Sequence, residues 1–216
     1  MNRRDFFNAM ADTWDTRCRH DHDRINEILD LLPLSKGHAV LDVGSGTGVL
    51  IPFILERIGD RGTITAIDMA EKMIRIAEKK FHHKQVRFVA DDVLSTELQL
   101  PRFDVILCYS VFPHFEDKQA AVAKLSRRLE PGGILAICHS EGRDHINSLH
   151  RNISPAVAHD HLPPAREIAE YFARAGCKVV TLLDTARQFL VAGQKCTPGE
   201  DLNSSRQRGI MPVEFR

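Results

Sequence analysis

The sequence predicts a doubly wound α/β domain with a mostly parallel, seven-stranded sheet that carries an antiparallel strand at one edge. Three observations predict it. From Ala39 to Cys138 short apolar runs alternate with amphipathic stretches, the pattern of parallel strands joined by right-handed crossover helices. The first apolar run, Ala39 to Val43, ends in three glycines spaced one apart (Gly44, Gly46, Gly48) before a second apolar segment, as where a buried strand bends into a helix. Two late apolar runs, Lys178 to Leu183 and Gln188 to Ala192, are separated by a short turn and read as an antiparallel pair.

Asp5 to Trp14 has apolar residues at helical spacing. Ile25, Ile28, Leu29 and Leu32 fall at i, i+3, i+4 and i+7, an amphipathic helix stopped by Pro33. After the glycine loop, Val49 to Ile58 is the first crossover helix, with Pro52 near its start, where a missing N–H costs least. Gly59 to Gly62 is a turn, Thr63 to Ile67 the second strand, and Met73, Ile76 and Ala77 line the next helix. Val86 to Val89 and Val105 to Cys108 make the third and fourth strands. Val122, Leu125 and Leu129 mark a helix, and Pro131-Gly132-Gly133 turns the chain into a fifth strand, Ile134 to Cys138. The polar, histidine-rich stretch Glu141 to Pro164 breaks this rhythm before a helix from Ala165 to Ala175 capped by Gly176. Residues 1–196 are thus expected to form one domain, with an N-terminal helical region (1–33), an insertion at 141–164 and an irregular tail (197–216).

Composition narrows the function classes. Lys plus Arg and Asp plus Glu number 29 each, so there is no global charge to hold a nucleic acid. No apolar run approaches the ~20 residues of a membrane span, and the start M-N-R-R-D-F-F lacks the apolar core of a signal peptide, so no membrane insertion and a cytoplasmic location are expected. Five cysteines without C-x-x-C spacing suit reduced thiols. The G-x-G-x-G spacing differs from the G-x-G-x-x-G of dinucleotide folds, and Asp42 precedes its first glycine. A phosphate would be repelled by that carboxylate; an ammonium would be attracted.

L-D-V-G-S-G-T-G closely resembles the first motif of the class I S-adenosylmethionine-dependent methyltransferases, and the likeness continues in order through I-T-A-I-D-M, V-R-F-V-A-D-D-V, F-D-V-I-L-C-Y-S and L-E-P-G-G, from about Leu34 to Lys195. The early and middle motifs are similar to the quinone-ring methyltransferases; the histidine-rich segment departs from them. The resemblance implies S-adenosylmethionine as cofactor, S-adenosylhomocysteine as product and a small-molecule acceptor. It implies that Asp42 lies near the cofactor's amino group, that Gly44, Ser45, Gly46, Thr47 and Gly48 pack on its methionine and ribose parts, and that Asp68 accepts from the ribose hydroxyls. Met69, Asp92 and the Val93 amide are set at adenine, with Asp91 the competing acid, and Cys108 beside the cofactor. The N-terminal helix resembles one that closes over the cofactor in many small methyltransferases.

Residues that follow the strands carry the remaining chemistry. His139, just past the fifth strand, is the first candidate general base and His114 the second, with Tyr109 lining the pocket or orienting the acceptor. Trp14 suits a lid or a core edge. Arg143, His145, Asn147 and His150, together with Trp14, are expected to hold the acceptor. A polar surface loop and an imidazole metal site are the alternatives; His145 and His150 are not at i, i+4, so no metal is assigned. Methylation of a soft atom near Cys18, Cys108 or Cys138, a nicotinamide-dependent oxidoreductase, and a non-catalytic cofactor-binding module are the rival functions.

Overall fold

The computed structural model describes residues 1–197; all of the expected tail except Thr197 lies outside the described residues. Seven strands form one sheet: β1 (Ala39–Val43), β2 (Thr63–Asp68), β3 (Val86–Ala90), β4 (Phe103–Tyr109), β5 (Leu129–His139), β6 (Cys177–Asp184) and β7 (Phe189–Lys195), in the order β3-β2-β1-β4-β5-β7-β6. β1 to β5 are mutually parallel. The antiparallel pairing lies at one edge, as expected, and the strand that runs against its neighbours is β7, one position in from the margin.

Successive strand residues face opposite sides of the sheet, and both sides are covered, which is why the central strands are apolar throughout. On one side Val40, Val105, Leu107 and Ala136 pack against Ile25, Ile28 and Leu29 of α3 (His22–Asp30) and Ile51 and Ile54 of α4 (Ile51–Ile58). On the other, Leu41, Ile106, Leu135 and Ile137 meet Val122 and Leu125 of α6 (Lys118–Arg127) and Ile168 and Phe172 of α8 (Ala165–Arg174). α5 (Glu71–Lys80) runs between β2 and β3. Among the described residues no helix is long and apolar enough to cross a membrane.

Three expectations need correction. Asp5 to Trp14 is not one helix: α1 (Arg3–Met10), capped by the Asn2 side chain on the Asp5 N–H, gives way to a 3₁₀ turn (Ala11–Thr13) and the short α2 (Trp14–Arg17). Pro131-Gly132-Gly133 does not precede β5 but bulges within it. Phe103 of β4 pairs with Leu129 and Val105 with Ile134, so the proline, which has no N–H to donate, falls where the ladder is interrupted. Leu129 accordingly belongs to the strand, not to the helix before it. The first part of the polar stretch after β5 is a helix, α7 (Arg143–Ile153), with Ile146, Asn147 and His150 on its buried side.

Candidate functional site

Chain order reverses between β1 and β4, so the crevice beyond the carboxyl ends of these strands is the expected ligand seat. The glycine loop lies there. Gly44, Gly46 and Gly48 have φ of 65°, 54° and 89°, the left-handed region that favours glycine. At Gly44 there is a second constraint: a Cβ would come 2.3 Å from Val111 Cγ2, so the chain after β4 closes against bare backbone. The loop is tied to β2, with the Ser45 N–H donating to the Ile67 carbonyl (3.0 Å) and the Gly46 N–H to Asp68 Oδ2 (2.9 Å).

Asp42 is 2% exposed and its Oδ2 has no hydrogen-bond partner. Burial, followed by the neighbouring Asp68 charge, pushes its carboxyl up to about 8. An isolated buried carboxylate is costly, and a cation is what would relieve it. The buried Ser45 hydroxyl likewise lacks a partner. These orphaned groups around an open-backbone loop fit a ligand bearing an ammonium, and they do not fit a pyrophosphate. Asp68 also accepts from the Ala70 N–H at the start of α5 (2.8 Å), so the capping bond exists alongside the tie to the loop. Burial raises its carboxyl, against these two backbone hydrogen bonds.

At the adenine end expected for the cofactor, Met69 is 40% exposed and Val93 buried. Asp92 is exposed and turns the chain by accepting from the Leu94 N–H (2.9 Å), while Asp91 accepts from the Asp92 N–H (2.7 Å). Cys108 is entirely inside the core, among Leu41, Val43 and Ile137, as a packing residue. Cys138 is equally buried on the opposite side, so these thiols do not converge on an accessible surface.

The N-terminal region lies across the glycine loop. The Trp14 indole Nε1 is 3.8 Å from where a Gly46 Cβ would stand, and the ring packs edge-on to Phe7 at 5.6 Å. Trp14 therefore sits over the loop. Asp15 accepts from the Thr47 hydroxyl and from Lys80 Nζ (2.8 Å), and Glu71 accepts from Arg4 (3.1 Å) and Asn8 (2.9 Å). Tyr109, at the end of β4, has its hydroxyl 2.7 Å from Ser140 Oγ and 2.9 Å from His20 Nδ1. Ser110 follows it at φ 56°, which costs an L-residue about 1 kcal/mol.

The histidines divide. His139 is 1% exposed, neither ring nitrogen has a partner, and burial, with the nearby His150 and His114, pushes it down to about 3. A base that must titrate near neutrality does not fit this setting, which corrects the first choice of base. His114 instead ends a 3₁₀ turn (Phe112–His114) with its Nδ1 2.6 Å from Asp160 Oδ2. His150 Nδ1 donates to the Asp160 carbonyl (3.0 Å), and its ring is 5.0 Å from that of His114.

The remaining expected acceptor residues are engaged elsewhere. Arg143 pairs with Asp184 (3.1 Å) and Asp144 (3.0 Å), His145 is exposed, and the Asn147 amide clamps Leu162 through both its N–H (2.8 Å) and its carbonyl (3.1 Å). A helix explains the split: at about 100° per residue only one stripe of α7 faces inward. Among the described residues no group of three or more His, Cys, Asp or Glu side chains is arranged to hold a metal ion. Arg3, Asp15, His20 and Asp160 were not anticipated. In the run His159-Asp160-His161 the two histidines are exposed and the aspartate is the residue that is buried. Arg3 meets Asp160 across 157 positions, a pairing with no local sequence signal.

Residues 40–133 match the family profile described as a methyltransferase domain. The chain is 36% identical over 132 residues to the malonyl-[acyl-carrier protein] O-methyltransferase of Acetivibrio thermocellus, covering 60% of this chain and 46% of that protein. It is 30% identical over 138 residues to the ubiquinone biosynthesis O-methyltransferase of Alkalilimnicola ehrlichii, covering 59% and 54%. The chain spans about half the length of these curated relatives. A crystal structure of a SAM-dependent methyltransferase from Aquifex aeolicus superposes with a TM-score of 0.66 at 21% identity, over 90% of this chain and 99% of that one, a likeness of fold. The profile match to a methyltransferase domain runs from β1 into β5 and takes in the glycine loop at the switch point of a sheet whose fold is like that of the superposed structure.

Proposed function

We propose that this chain transfers a methyl group from S-adenosylmethionine to a small-molecule acceptor, with an oxygen atom as the site of methylation. The observation that carries the reading is Asp42, a buried, partnerless carboxylate behind a positive-φ glycine loop. Asp42 would hold the cofactor's ammonium, the Asp68 carboxylate has lone pairs left for ribose hydroxyls, and Asp92 and Met69 stand at the adenine end. The cofactor supplies an activated methyl group, so the chain's own work is alignment and exclusion of water. Trp14, Phe7 and the Asp15 ties to Thr47 and Lys80 keep the N-terminal region over the loop, which serves that exclusion. The relatives named above are both O-methyltransferases by name, which supports oxygen over a soft atom; the core positions of Cys108 and Cys138 point the same way.

Calorimetry with S-adenosylmethionine, S-adenosylhomocysteine and NAD tests the reading. Binding of both sulfur compounds and not of NAD is expected. NAD binding with no response to either sulfur compound would replace it with the oxidoreductase reading.

A further inference from the structure

We propose that Asp160 positions His114 as the proton acceptor of the site, and that the acceptor molecule it serves is a phenol. The inference rests on the methyl-transfer reading and adds the base and the substrate class to it. Asp160 Oδ2 lies 2.6 Å from His114 Nδ1, and an ionised carboxylate only accepts, so the proton of the neutral ring is held on Nδ1 and the lone pair stands on Nε2. The carboxylate is kept ionised from its other side. Arg3 forks onto it, Nε at 2.9 and 3.1 Å and Nη2 at 2.6 Å, and the Asp160 side chain is only 1% exposed. The Asp160 backbone carbonyl fixes His150 in the same tautomer. One residue thus orients two adjacent imidazoles, 5.0 Å apart, and engages each through Nδ1, leaving Nε2 outside these bonds.

The groups facing this cluster set the substrate class. Arg3 is matched by Asp160 and by Glu116 (2.9 Å), and Lys118 donates to the Phe115 carbonyl (2.8 Å) beside it. His139 is neutral and buried. Lys118 makes no ion pair among the described residues, and the lid wall is aromatic: Phe7 meets the His114 ring edge-on at 5.0 Å and Trp14 packs behind it. A flat ring with one O–H to donate matches that wall and that floor. In the step assigned to this dyad, the acceptor's O–H bond breaks, its electron pair stays on oxygen, and the proton joins the Nε2 lone pair. The resulting imidazolium is offset by Asp160, as in other Asp–His pairs. Because Arg3 comes from α1, the dyad is fully held only when the N-terminal region is closed.

The test uses 4-nitrophenol, whose colour reports its ionisation, added to the full chain saturated with S-adenosylhomocysteine. The bound probe should be ionised at pH values below its midpoint in water. His114→Gln, which removes the lone pair but leaves Asp160 on Arg3, and Asp160→Asn should each lower the ionised bound fraction at least tenfold, with unchanged affinity for S-adenosylhomocysteine by calorimetry. His38→Gln, just before the amino end of β1, should behave as wild type. A wild-type protein that leaves the probe unbound or neutral, or a His114→Gln protein that still ionises it, overturns the inference. A probe signal abolished by a chelator also overturns it, in favour of a metal held by the imidazoles. Failure to bind S-adenosylhomocysteine counts against the methyl-transfer reading instead, so the two are told apart.

Discussion

Replacing Asp42 with asparagine should uncouple cofactor binding from proton release. With its carboxyl pushed up to about 8, Asp42 is protonated in about nine-tenths of the ligand-free protein at pH 7. An ammonium placed against it would restore the carboxylate, so binding of S-adenosylhomocysteine at pH 7 should release about one proton from the wild type and none from Asp42→Asn. The folded value lies above the unfolded one, so the group's contribution to ligand-free stability is fully present below about pH 4 and is lost as pH rises through about 8. At 1.36 kcal/mol per unit, the loss by pH 7 is at most about 4 kcal/mol. Ligand-free Asp42→Asn should therefore melt increasingly above wild type between pH 5 and 8, while binding the cofactor more weakly. Calorimetry at pH 7 in phosphate and in Tris, whose ionisation enthalpies differ, counts the protons. Equal binding enthalpies in the two buffers for the wild type would refute the reasoning, because Asp42 would then be ionised before the ligand arrives.

Other substitutions test neighbouring parts of the site. Asp68→Ala should weaken cofactor binding by about 1.5–3 kcal/mol, the scale of charge-assisted hydrogen bonds; unchanged affinity in a folded protein would leave Asp68 only its ties to Gly46 and Ala70. Gly44→Ala must take φ 65° and put a Cβ 2.3 Å from Val111 Cγ2, so thermal unfolding should show a loss of about 2–4 kcal/mol, and a wild-type melting curve would contradict the close approach. His139→Leu removes two partnerless buried nitrogens and should raise ligand-free stability by about 1–3 kcal/mol. In the wild type His139 is pushed down to about 3, below its unfolded value, so stability is full above about pH 6.5 and falls as pH drops toward 3. Denaturant titrations of the His139→Leu protein should show a shallower acid slope, and identical slopes would mean that His139 is protonated in the fold.

Short-range pattern by itself determined the strands, the crossovers and the glycine bend, because burial on both sheet faces forces apolar runs and a left-handed bend forces glycine. Asp42 and Asp68 could be placed for the same reason: each lies in the last two residues of its strand, and strand ends are fixed by the pattern. The inner face of α7 was not legible, since its buried residues Ile146, Asn147 and His150 are mostly polar while the apolar Leu149 and Ile153 are exposed. Only the tertiary structure decided what the histidines do. His114, His150 and Asp160 come from three separate segments, and whether a ring is neutral, paired or orphaned depends on which atoms burial brings against it. His139 and His114 look alike as letters after strands; one is sealed beneath Phe189 without a partner, the other is held by a carboxylate that Arg3 reaches from the opposite end of the chain. Local sequence constrains backbone conformation and the periodicity of burial, whereas ionisation and tautomer are set by distances between residues that only packing of the whole domain fixes.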